Sequence, residues 1–518
     1  MEKEQENIGK NHSKTIPFSM NLEINVLNDL DYLFFKGNHD SIYENLLKIE
    51  EQVDKNSNEA LLINFFIFRF ILMTKGPEPF QTELKTRNIS NKHKITLEEY
   101  FLLEIQFYTG ANKNDLVSEF SSKAQLYLRS NLPAEMIIHF LQIGAIINLD
   151  LGGNPYETLQ YAQLASSFAQ KLINKEYYYA WTLARQGQAF WVIGNLFKCK
   201  ECTNQALEIF DRLQTGEFLG RFAIFETLIH LEQTEGNFEK AIELVQKSRT
   251  TLPRYNFTES LLLEIDLHLN RGSLDQARDL LYDYKFYVAQ KQIEKRDFRI
   301  KLREARLLIK EGKNTLAARQ LELLINSKLQ ILDEITKIHS LRLLADNFAQ
   351  MKEFEQAIER STIALAEAKQ LKNSEEILEC KILLLDICLQ YSLEKDFDAA
   401  KKWPLNEWFS EAKRLATKRG SKLSLIEIRM YEILYKILKG NIYTDLQIEI
   451  SEIIQECVYL GWINGERFAT TLKSHIESKI LSDTIKNNLE SADFEEEDLT
   501  LENMQIYLKE LKRNINLY

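Results

Sequence analysis

The stretch Glu235 to Ser248, EGNFEKAIELVQKS, recurs in altered form at a nearly constant interval, and that recurrence limits the fold more than any other feature. Downstream, RGSLDQARDLL repeats the relation with Gly272, Leu274 and Ala277. EGKNTLAARQL follows with Gly312 and Ala317, Asn314 standing in for the aromatic. MKEFEQAIERSTIALAEA keeps Phe354 and Ala357 but has Lys352 in the glycine position, and upstream IGNLFKCKECTNQAL supplies Gly194, Leu196 and the small Cys199. Anchors 194, 236, 272, 312 and 352 lie 42, 36, 40 and 40 residues apart. Looser anchors extend the grid through Gly37, Gly76, Gly110 and Gly153, and forward to Gly440.

Each copy reads as a helix hairpin. Glycine adopts positive φ without a Cβ penalty and so closes the first helix. The Phe or Leu two residues on packs back across the turn, and the alanine on the next turn lets two helix axes approach closely. The segment ahead of each anchor has its own apolar stripe, as Leu341, Leu344, Ala345 and Phe348 show ahead of Lys352. With only 18 Gly and 7 Pro in 518 residues, helices joined by short turns suit the chain better than the many tight turns of a β protein.

Gly187, Phe190, Gly194, Cys199 and Ala206 resemble the small, aromatic, turn, small and small positions of the tetratricopeptide repeat family. Leu344, Ala345, Phe348, Phe354, Ala357 and Ala364 match the same pattern. The resemblance is clearest over residues 178–371, and its period near 40 exceeds the standard 34. It implies an all-α fold, a right-handed α-solenoid of about eleven antiparallel helix hairpins whose first helices line a concave groove. The expected organisation is a disordered tail over 1–20, divergent helical repeats over 21–130 and tetratricopeptide-like repeats over 131–482. An acidic linker and C-terminal helix follow over 483–518. Pro404 interrupts one copy, so Lys401 to Leu405 reads as a loop with the next helix starting near Asn406.

The formal net charge of −11 opposes binding to nucleic acid or anionic membrane. The longest apolar run, LLINFFIFRFILM (Leu61 to Met73), contains Asn64 and Arg69 and falls short of the roughly 20 residues a membrane span needs, so it reads as a buried helix. The start of the chain is polar and carries no export signal, and five scattered cysteines give no disulfide framework; both point to the cytoplasm. No phosphate loop, paired-histidine zinc helix or nucleophile elbow is present, so no catalytic residue, no metal and no cofactor is expected.

Two features bear on binding. In CKEC, Cys199 and Cys202 fall in a first helical turn, where a redox pair gains a lowered thiol pKa; Cys199 is equally explained as the small packing residue of its repeat. In DFRIKLREARLLIKEGK, Arg299, Arg303, Arg306 and Lys310 are spaced 4, 3 and 4 apart and share one helix face. Residues 291–313 hold nine basic side chains against four acidic. By the family resemblance this face looks into the groove, with Arg342 joining it from the next repeat. Arginine forks match carboxylates, so the expected guest is a protein or peptide with an acidic segment or free C-terminus. Glu495, Glu496, Glu497 and Asp498 could act as an internal guest. The expected function is a non-catalytic scaffold or adaptor, with a peptide- or ligand-sensing regulator as the alternative.

Overall fold

A computed structural model describes residues 39–490, apart from 110–112, 131, 151–153, 173–174, 214–218, 252–256, 291–296, 327–333, 396–401 and 441–442. The expected N-terminal tail, the acidic segment 495–498, the C-terminal helix and Gly37, Gly110 and Gly153 lie outside these residues. The described residues form 22 α-helices and no strand. In order they are α1 (His39–Glu50), α2 (Asn58–Lys75), α3 (Pro77–Thr86), α4 (Asn91–Thr109), α5 (Lys113–Leu128), α6 (Ala134–Asp150) and α7 (Pro155–Ala169). Then come α8 (Lys175–Ile193), α9 (Leu196–Arg212), α10 (Leu219–Thr234), α11 (Phe238–Thr251), α12 (Phe257–Arg271), α13 (Leu274–Gln290), α14 (Asp297–Lys310) and α15 (Asn314–Ile325). The last seven are α16 (Glu334–Gln350), α17 (Phe354–Gln370), α18 (Ser374–Glu394), α19 (Leu405–Arg419), α20 (Lys422–Leu438), α21 (Tyr443–Leu460) and α22 (Ile463–Glu490).

The repeat turn is built as the anchors imply. Gly194, Gly236, Gly272, Gly312 and Gly440 all have positive φ, and Lys352 adopts the same conformation at φ 64°. The residue after the anchor donates its N–H to a carbonyl five residues back: Asn195 to Phe190 at 2.9 Å, Lys313 to Leu308 at 2.9 Å and Glu353 to Phe348 at 2.8 Å. This bond satisfies a carbonyl that the helix end would otherwise orphan. Beyond the turn, Phe238, Ala241, Ala277, Ala317, Phe354 and Ala357 are all buried. Burying one such Phe is worth roughly 2–3 kcal/mol. Pro404 stands just ahead of α19, which begins at Leu405, beside the expected boundary.

Ten hairpins result, running from α2–α3 to α20–α21, with α1 before them and α22 after. This count is of the described residues alone. α22 continues past residue 483, where the linker was expected. The apolar run from Leu61 to Met73 lies within α2, buried through most of its length, and Asn64 Nδ2 donates to the Ala60 carbonyl at 2.8 Å. No described helix is long and apolar enough to cross a membrane.

First helices touch the first helices of neighbouring hairpins: α6 with α8, α8 with α10, α12 with α14, and onward in that order from α14 to α22. Second helices do not approach one another as closely, so the first helices form the inner layer. The coil then meets itself: α8 touches α18, α10 touches α20 and α12 touches α22. Each of these contacts spans ten helices, so five hairpins complete one superhelical turn. A single buried cluster accordingly joins Phe225, Phe238 and Leu263 of the earlier turn to Leu378, Tyr431, Leu460 and Trp462 of the later one.

Candidate functional site: the charged inner face

The inner helices carry the predicted arginine row, and the structure gives each cation close neighbours. Arg303 pairs with Asp266 of α12, and donates to the Leu262 carbonyl at 3.3 Å and the Arg299 carbonyl at 3.1 Å. Arg306 donates to Asn270 Oδ1 and holds Asp266 at 3.6 Å. Lys310 is buried at the end of α14, beside Arg306 and Asp346, and burial followed by the Arg306 charge pushes its ammonium well below the usual lysine range. Arg299 is half-buried at the start of the row. Arg342 forks across α18, to Glu376 at 2.8 Å and Glu379 at 2.9 Å. The five predicted residues therefore lie on two adjacent inner helices, α14 and α16, with carboxylates of α12, α16 and α18 set against them.

Further groups close this row into a circuit. His339 Nε2 lies 2.8 Å from Glu376, and against the upward push of burial His339 first and Arg342 second hold the Glu376 carboxyl at about 2. Burial pushes Glu375 and Glu379 the other way, above the usual range, because each shares its arginine with neighbouring carboxylates. Burial likewise raises Asp346 to about 6, against the pull of Gln350, Lys310 and Arg306. His230 on α10 is held below its ordinary value by burial, and feels Glu226, Asp266, His339 and Arg303. His230 and His339 sit three hairpins apart in the chain, so their mutual influence acts across the interior of the coil. Trp191 lies 5.8 Å from the His230 ring, and Arg419 stacks over Trp191 at 5.2 Å while facing Glu375 at 3.7 Å.

Charges of both signs thus line one superhelical turn, from Trp191 round to Arg419. Asp266, Glu375, Glu376, Glu379, His339 and Arg419 were not singled out in the sequence. One signal could have found part of the set. Counting six residues back from each turn anchor gives Gln188, His230, Asp266, Arg306 and Asp346, a polar column inside otherwise apolar helices. Charge counting on one helix picked out the cations and missed the partners on its neighbours.

Both cysteines of CKEC are buried and unpaired. Cys199 is fully buried and burial raises its thiol to about 12, so the thiolate is scarce at neutral pH. Its place is set by packing: a Cβ on Gly187 would stand 2.4 Å from Thr203 Oγ1, and Thr203 bonds the Cys199 carbonyl at 2.6 Å. All five cysteines are free and buried, and no metal-competent cluster occurs among the described residues.

No protein-family model matches the chain, and no curated protein matches it. Among solved structures, the chain is similar to a Rap protein crystallised with competence and sporulation factor, at 11% identity and a TM-score of 0.45. That match covers 68% of this chain and 99% of the other. It is also similar to aspartyl phosphate phosphatase F from Bacillus subtilis, at 11% identity and a TM-score of 0.40, over 70% of this chain and 97% of the other. Similarity at this level leaves function to be read from the inner face itself.

Proposed function

We propose that the chain is a non-catalytic binding protein whose superhelix receives a short peptide, or the free end of a partner protein, against the charged inner face. The supporting observation is the circuit of sheltered charges on the first helices. Buried ion pairs are poor stabilisers, and well-packed apolar residues would hold the turn as well or better. Charged groups retained in such a place suit recognition. The guest is a chain with a free C-terminal carboxylate, which competes with Asp266 for Arg303 and Arg306. Because the cations are already matched, a guest of one sign leaves the opposite charges unanswered. A peptide with both termini free serves Arg303 and Arg306 at one end, and the incompletely neutralised Glu375 and Glu379 at the other.

Affinity selection tests this, using a synthetic random hexapeptide pool with free termini against the same pool amidated at the C-terminus. The full chain is expected to enrich peptides from the free-acid pool, and Arg303→Glu with Arg306→Glu to abolish that enrichment. Equal recovery from both pools, or recovery unchanged in the double variant, would overturn the reading. The sensing version of this function is supported by the superhelical contacts, since a guest that touches both Trp191 on α8 and Glu375 on α18 bridges hairpins that only the closing of the coil brings together.

A further inference from the structure

The contact line between the two superhelical turns runs beside the charged inner face and shares residues with it. Side-chain hydrogen bonds to backbone carbonyls cross it. Ser374 Oγ donates to the Val192 carbonyl at 2.7 Å, Arg419 Nη1 donates to the Trp191 carbonyl at 3.3 Å and to Ser374 Oγ, and Asn464 Nδ2 donates to the Asn270 carbonyl at 3.2 Å. The backbones approach closely here. A Cβ on Gly194 would stand 2.6 Å from Ser374 Oγ and 2.9 Å from Arg419 Cγ, and one on Gly236 would stand 2.8 Å from Leu460 Cδ1. Gly312, in the same repeat position but with no second turn against it, has nothing within 4 Å.

Arg419 is the hub of this line. It is 3% exposed, yet its Nη2 has no hydrogen-bond acceptor and faces Glu375 at 3.7 Å, beyond bonding distance. A guanidinium has five donor hydrogens. Holding one turn of a solenoid against the next with part of that capacity unused makes a contact that can be exchanged for another. Glu375 belongs both to this contact and to the inner face, where Arg342 and His339 also act on it. The closure of the coil and the occupancy of its interior therefore draw on the same carboxylate.

We propose that Arg419, with Ser374 and Trp191, is a latch that holds the second superhelical turn against the first, and that its release opens the inner face to the guest. The purpose assigned to the latch rests on the peptide-binding reading; its existence does not. Cys199 provides a guest-free readout, because its thiol is fully buried and lies within the electrostatic reach of both Arg419 and Glu375. Cys388, buried in α18, reports on the core instead.

The test is the rate at which N-ethylmaleimide labels each cysteine in the full folded chain, followed by mass spectrometry. Arg419→Ala is expected to accelerate labelling of Cys199 at least tenfold while Cys388 stays protected. Ser374→Ala, which keeps the arginine and removes the shared hydroxyl, is expected to fall between it and the parent chain. Unchanged Cys199 labelling in both variants would overturn the latch, and so would acceleration of Cys199 and Cys388 together, which signals general loosening. No guest is added, so this result and the hexapeptide selection can fail separately.

Discussion

Gly236 and Gly312 hold the same place in their repeats, and replacing each with alanine separates the cost of the turn from the cost of the coil closing on itself. Both have positive φ, 85° and 73°, so each alanine bears the left-handed penalty of roughly 1 kcal/mol. There the likeness ends. The new methyl at 312 meets open space, whereas at 236 it would lie 2.8, 3.0 and 3.1 Å from three carbons of Leu460, a buried side chain more than two hundred residues along the chain. Overpacking of this kind adds about 1–3 kcal/mol. Gly312→Ala should therefore cost about 1 kcal/mol and Gly236→Ala about 2–4 kcal/mol. Stacked repeats need not unfold in one step, so hydrogen exchange by mass spectrometry is the suitable assay. Gly236→Ala should raise exchange across residues 455–466 as well as around its own turn. Gly312→Ala should leave 455–466 untouched. Equal effects of the two substitutions, or no response at 455–466, would refute the reasoning.

Other substitutions probe the turns, the inner face and the cysteines. Lys352→Gly relieves the left-handed lysine at the cost of an exposed pair with Glu394 at 2.6 Å, and should stabilise the chain by roughly 0.5–1 kcal/mol in thermal unfolding. Glu376→Gln tests the buried carboxylate held at about 2. A folded value depressed below the unfolded 4.5 contributes stability that is present above pH 4.5 and lost as pH falls toward 2. The parent chain should therefore lose about 3 kcal/mol relative to the variant across that window in urea unfolding, and parallel curves would contradict the pairing. Cys199→Ala with Cys202→Ala should leave hexapeptide recovery unchanged and cost at most about 2 kcal/mol, checked by selection and unfolding together.

The hairpins were legible because their causes are local. A positive φ, an aromatic two residues on and an alanine at the next turn lie within one short window, and even Lys352 revealed itself by the company of Phe354 and Ala357. The arginine row was legible for the same reason, since 4, 3, 4 spacing is a property of one helix. Its neutralisation was not. Asp266 lies about 40 residues before Arg306 and Glu376 more than 30 after Arg342, so the pairing depends on how successive inner helices align. The closure of the coil was further from view. It depends on the small rotation of each hairpin against the next, accumulated five times, and no single residue encodes that sum. Its trace in the sequence is slight: glycine stands at 194, 236 and 272, where a second turn presses, but also at 312, where nothing lies within 4 Å, and only position 352 has lysine.

The self-contact of the superhelix is the point on which the inner face, the latch and the glycine pattern all depend. Spin labels at Glu239→Cys and Tyr459→Cys address it directly, because both positions are exposed, the five native thiols are buried, and Arg271 pairs with Glu239 while lying against Gly461. Pulsed electron resonance should return one short distance, near the lower limit of the method. A separation of about 50 Å, the length of five hairpins stacked at about 10 Å each without closing, would contradict the account.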